Sequence, residues 1–166
     1  MTIVIDDPKF QQILEVTLGD QPISPLEIRT IGQLVQLAAS TDLDDDPAEW
    51  AVLRTVMARL CARGEIAPDS VPLLSPVPSD DEERAARIAR LVPRLTTTGA
   101  RDLAFALAYL VIVADLELAP VESALLERLQ GALTIPRERA GDVVAAVAQI
   151  VTPDEAGDAS AVATPC

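Results

Sequence analysis

Leu103-Ala104-Phe105-Ala106-Leu107-Ala108-Tyr109-Leu110-Val111-Ile112-Val113-Ala114 is the longest apolar run in the chain, and Asp115 ends it. Twelve residues fall well short of the ~18–20 that span a bilayer. Read as a helix from about Gly99 to Ala114, the stretch is apolar almost all round. In a soluble protein such a helix belongs at the buried centre of a bundle.

The same design occurs 73 residues earlier. Sliding the chain by that distance puts Leu34 on Leu107, Leu37 on Leu110, Asp42 on Asp115 and Leu43 on Leu116. Pro47 then falls on Pro120, Glu49 on Glu122, Ala51 on Ala124, Leu53 on Leu126 and Leu60 on Leu133, nine identities over the 27 ungapped positions from 34 to 60. Each unit is an apolar helix, an Asp, a short acidic connection, a Pro, a Glu two residues on, and an amphipathic helix. Two such hairpins, at about 24–64 and 98–134, packed face to face predict an all-α bundle of about six or seven helices with a pseudo-duplicated core.

Helix punctuation extends the reading outward. Ser24-Pro25-Leu26-Glu27 is a capping box with Pro at the first helical position, opening a helix to about Ser40. Asp46-Pro47-Ala48-Glu49 repeats it, and Gly64 supplies the C-terminal cap. Ser79-Asp80-Asp81-Glu82 opens a third helix, with Asp80–Arg84 and Glu83–Arg87 as i,i+4 ion pairs on its exposed side and Pro93 as its stop. Pro120 and Pro136 begin two more, and a short amphipathic helix is expected near Pro8–Val16. The four prolines between Glu65 and Pro78 make a connection. One domain over residues 1–150 follows, with 151–166 a disordered acidic tail.

Composition narrows the function classes. The 166 residues carry 13 basic and 26 acidic side chains, a formal charge of −13. Such a field repels phosphate backbones and anionic lipid, so neither nucleic acid nor membrane insertion is expected. There is no His, and the two Cys, Cys61 and Cys166, make no disulfide framework. Glycines are scattered, with no phosphate-binding loop, and no Ser or Cys has a base beside it, so no enzyme is expected. Without a basic, apolar leader at the N-terminus, the expected location is the cytoplasm.

The second repeat unit, Leu103 to Asp115, then Leu116-Glu117-Leu118-Ala119-Pro120-Val121-Glu122, then Ser123-Ala124-Leu125-Leu126-Glu127-Arg128-Leu129, resembles the TerB-like (tellurite-resistance) helical domain family. The family's recurring signature is an apolar helix ending in Ala-Asp-Gly-Glu, a short Ser-Pro-Glu-Glu-type opening, and Leu-Leu-x-x-Leu; with the duplication the resemblance covers about Ile23 to Val151. It implies an all-helical bundle, an association with stress or envelope-linked systems, and divalent-cation binding by loop acids. The family's Gly after the Asp is Leu43 in the first copy and Leu116 in the second.

Read for chemistry, Asp42, Asp44, Asp45, Asp46 and Glu49 place five acids in eight residues with no base. Hard carboxylate oxygens suit Ca²⁺ or Mg²⁺. Asp42, Asp44 and Asp46 match positions 1, 3 and 5 of an EF-hand loop, but Pro47 and Leu53 stand where its Gly and Glu belong, so this is not an EF-hand. Asp42 and Asp115 each end an apolar helix, where the dipole disfavours an anion. Seven residues on, Glu49 and Glu122 open the next helix. Across a tight hairpin each pair would share a cation, with Glu117 added in the second copy. The competing reading makes Glu49, Glu122 and Asp46 helix caps and leaves Asp42 and Asp115 to accept backbone N–H groups.

Cys61 reads as a small buried hydrophobe, and Cys166 as a free thiol open to modification. Arg84, Arg87, Arg90 and Arg94 form a basic stripe at three- or four-residue steps: a solvated, ion-paired face, or a docking edge for an acidic partner or a second copy. The function expected is a non-enzymatic accessory domain that binds a divalent cation weakly and docks a protein partner, or a second copy as a homodimer. The alternative is a helical carrier or leader-like substrate whose tail is modified at Cys166; an acidic inhibitor of a basic target comes third.

Overall fold

The computed structural model describes residues 3–39, 47–67, 80–115 and 120–151. These form seven α-helices and no strand. In chain order they are α1 (Asp7–Thr17), α2 (Pro25–Ala39), α3 (Pro47–Arg63), α4 (Asp81–Leu91), α5 (Thr98–Ile112), α6 (Pro120–Ala132) and α7 (Arg137–Val151). Single 3₁₀ turns, Val92–Arg94 and Val113–Asp115, close α4 and α5.

Side chains satisfy the first-turn N–H groups that a helix cannot bond internally. Asp6 accepts from the Lys9 N–H at 3.0 Å, and Thr97 from the Ala100 N–H at 3.1 Å. At α2 the expected capping box is present: the Glu27 N–H donates to Ser24 Oγ at 3.1 Å, and the Ser24 N–H to Glu27 Oε1 at 3.2 Å. The start of α4 differs from expectation. Asp80, not Ser79, is the cap, accepting from the Glu82 and Glu83 N–H groups at 2.6 and 3.3 Å. With the Asp80 carboxylate engaged there, Arg84 pairs with Asp81 at 2.9 Å, and it lies buried rather than on the exposed side. The Glu83–Arg87 pair is as expected, at 3.4 Å.

Two helix ends close in the same way. After α3, the Ile66 N–H reaches Cys61 O at 3.0 Å and the Glu65 N–H reaches Ala62 O at 3.3 Å. After α6, Ile135 reaches Gln130 O and Thr134 reaches Gly131 O, both at 3.1 Å. These are Schellman closures, and the left-handed position is held by Glu65 (φ 55°) and Thr134 (φ 56°) rather than by glycine. Gly64 therefore has another role than the expected cap. A Cβ there would collide with Ile28 Cδ1 of α2, so its bare backbone lets the end of α3 close onto α2.

Helix α5 is buried around its whole circumference and packs on α1, α2, α3, α6 and α7. Its most extensive partner is α2, the equivalent helix of the other repeat. Burial follows the 73-residue correspondence: Leu34 and Leu107, Leu37 and Leu110, Leu60 and Leu133 are all buried, while Pro47 and Pro120, Ala51 and Ala124 are all exposed. Leu53 and Leu126 depart from it, since the second is only half-buried. One contiguous core takes side chains from every helix and from Ile3 and Ile5, which flank the outward-facing Val4. Burying a leucine or isoleucine fully is worth about 1.5–3 kcal/mol, so this aliphatic core needs few aromatics. No helix among the described residues is long and apolar enough to cross a membrane.

Candidate functional site

Three helices open with the same grammar, Pro at the first position and Glu at the third: Pro25/Glu27, Pro47/Glu49 and Pro120/Glu122. All three glutamates are buried, at 5%, 2% and 3% exposure. For Glu27 the reason is visible. Besides its bond from Ser24, its second oxygen accepts the Thr96 N–H at 3.3 Å, which ties the start of α2 to the segment entering α5. Glu49 and Glu122 occupy equivalent places in the two hairpins, each following an acid-bearing connection. A buried carboxylate loses its hydration and has to be compensated by hydrogen bonds or by a cation.

The remaining acids are placed less fully. Asp42, Asp44, Asp45, Asp46 and Glu117 lie outside the described residues. The backbone of Asp115 belongs to the 3₁₀ turn after α5, and that turn packs on α3, the helix carrying Glu49. The end of one repeat's central helix is thus brought to the first repeat's second helix. Among the described residues no group of three or more acidic or sulfur side chains is placed to hold a metal ion. A cation site would therefore draw on the acids outside the described residues, with Glu49 and Glu122 as its candidates inside them.

Cys61 is fully buried on α3, and desolvation raises its thiol above the ordinary 9.0. That is the behaviour of a small hydrophobe, not of a nucleophile. Cys166 and the tail lie outside the described residues.

A polar cluster that sequence reasoning missed joins α1, α5, α6 and α7. Arg139 donates to Asp102 Oδ2 at 2.9 Å and to Val16 O at 2.7 Å. Arg101 donates to Leu95 O at 3.1 Å, Leu133 O at 3.3 Å and Thr134 Oγ1 at 2.8 Å. Gln21 accepts the Gly99 N–H at 3.0 Å. These groups border a depression of about 380 Å³, but their donors are turned onto carbonyls at helix ends, which makes the cluster a clamp. Its partners are up to 123 positions apart in the chain, and no local spacing announces it.

Two other depressions mark the surface. One, about 820 Å³, lies between α1 and α3, with Phe10, Leu14, Ala58 and Ala62 in its lining and the Asp7–Arg59 ion pair across it. The other, about 280 Å³, is lined by Gln33, Leu91 and three arginines of the basic stripe. Comparison with protein-family models, curated proteins and solved structures returns no match for this chain.

Proposed function

We propose that the chain is a non-enzymatic, TerB-like accessory domain that holds a divalent cation at its duplicated acidic hairpins and presents its acidic surface to a protein partner. The observation that carries this reading is the pair of carboxylates, Glu49 and Glu122, buried to 2% and 3% exposure at equivalent positions. Both stand at the mouth of connections supplying Asp42, Asp44, Asp45 and Asp46 on one side and Asp115 and Glu117 on the other. Oxygen donors of this kind fit Ca²⁺ or Mg²⁺. A cation there cancels repulsion among the loop acids and fixes the angle between the helices, so the docking surface is set only when the ion is bound.

Glu27 supplies the internal control, because it shares the helix position while the connection before it carries a single acid, Asp20. Chelator-stripped protein is melted with Ca²⁺, Mg²⁺, Mn²⁺ or Zn²⁺ at constant ionic strength. A native-state ligand at a hundred times its Kd adds about 2.7 kcal/mol, or about 5–10 °C in Tm for a domain of this size. The expected result is a saturable, ion-selective rise that survives Glu27→Gln and disappears in Asp42→Asn and Glu49→Gln. If no ion raises Tm, or if all three variants respond alike, the glutamates are helix caps and the cation reading is wrong.

A further inference from the structure

The four arginines of α4 and its 3₁₀ extension are of two kinds. Arg84 is buried and ion-paired to Asp81, part of the packing against the rest of the bundle. Arg87, Arg90 and Arg94 instead line the open 280 Å³ groove, with Leu91 and, from α2, Gln33. Nη2 of Arg87 reaches Glu83 at 3.4 Å, while its Nε–H is buried and has no acceptor among the described residues. Arg90 and Arg94 are exposed and enter no ion pair among the described residues. Steps of three and four residues keep the three side chains on one face.

Acids outnumber bases two to one in this chain, 26 to 13, yet three guanidiniums are gathered here and, among the described residues, pair with one carboxylate, Glu83. The end of α4 adds only about half a negative charge. The groove is therefore a local reversal of an acidic surface, with more N–H donors than the described protein supplies acceptors for. We propose that it binds a phosphate-bearing small molecule, a phosphate monoester or a diphosphate.

Arginine forks match phosphate oxygens in geometry, and a terminal phosphoryl group has three oxygens to offer three guanidiniums where a carboxylate has two. Size points the same way. Charges farther away than a Debye length, about 8 Å at physiological salt, are largely screened. A compact anion thus feels the arginines, whereas an extended acidic peptide runs out onto the surface of a protein with a charge of −13 and is repelled there. The site does not depend on a cation at the acidic hairpins.

Pyrophosphate and inorganic phosphate are the probes, titrated at constant ionic strength while the ¹H–¹⁵N signals of the arginine side chains and of the Gln33 amide are followed. Saturable shifts confined to Gln33, Arg87, Arg90 and Arg94 are expected, with pyrophosphate the tighter of the two. The double variant Arg90→Gln/Arg94→Gln alters exposed side chains only. It keeps the far-ultraviolet circular dichroism of the parent and weakens pyrophosphate at least about tenfold. Absence of saturation, shifts spread over the whole surface, or stronger perturbation of the same signals by an oligoglutamate peptide overturns the proposal, the last outcome in favour of an acidic protein partner.

Discussion

Glu27 joins two places 72 residues apart, the backbone N–H groups of Ser24 and Thr96. Truncation in Glu27→Ala leaves both donors without their acceptor. An orphaned N–H costs about 1–3 kcal/mol when buried. Both bonds are only part-buried, so water recovers some of this, and the expected loss is about 2–3 kcal/mol. For a domain of this size that lowers Tm by about 4–12 °C. Glu27→Gln keeps one accepting oxygen and turns an N–H₂ toward the other donor, so about half the loss is expected. Thr96→Pro removes the distant donor itself, and Leu95 is already extended (φ −91°, ψ 104°), as a residue before proline prefers. In that background Glu27→Ala loses only its Ser24 share, which gives a coupling of about 1 kcal/mol in a double-mutant cycle. Urea unfolding followed by circular dichroism and Trp50 fluorescence measures all four corners. A coupling below about 0.3 kcal/mol, the usual error of additivity, would refute the claim that this carboxylate ties α2 to the entry of α5.

Two further predictions test packing and burial. Gly64→Ala is destabilising because its Cβ meets Ile28, whereas Gly141→Ala, inside α7 with nothing within 4 Å of an added Cβ, gains about 0.5–1 kcal/mol by the same denaturation assay. Cys61 resists thiol reagents at pH 8 until the protein unfolds. Because burial raises its folded pKa, the stability it contributes is full below the ordinary 9.0 and declines as pH rises through and beyond that value, so the alkaline fall in Tm is shallower in Cys61→Ala.

Helix positions were readable because their causes are local: Ser24 with Glu27, Pro47 with Glu49, and an apolar run too long and too uniform to lie on a surface. The placement of α5 at the centre follows from that uniformity alone. What sequence reasoning could not see depends on distant partners. Gly64 looked like a cap, since glycine usually takes the left-handed position, but Glu65 takes it and the glycine serves a contact with Ile28, 36 positions earlier. No local spacing marks Asp102 or Arg139, because only folding brings α7 to the ends of α1 and α5. In the basic stripe, spacing announced the shared face, but not that Arg84 turns inward while its three neighbours frame a groove with Gln33. Among the candidate ligands, local spacing was enough to place Glu49 and Glu122 in equivalent first turns, and their burial was the part that required the fold.

The mutual burial of α2 and α5 has a consequence for how the chain is made. During synthesis α2 leaves the ribosome before its main partner exists, and residues 40–97, 58 positions, must follow before α5 begins. At roughly 5–20 residues per second, the apolar face of α2 waits for about 3–12 s with its α5 side open, covered first by α3 and later by α4. The second hairpin thus acts as a late-arriving lid on the first, and any slowing of translation across the intervening segment lengthens the interval in which the nascent chain is most open to chaperones and to aggregation.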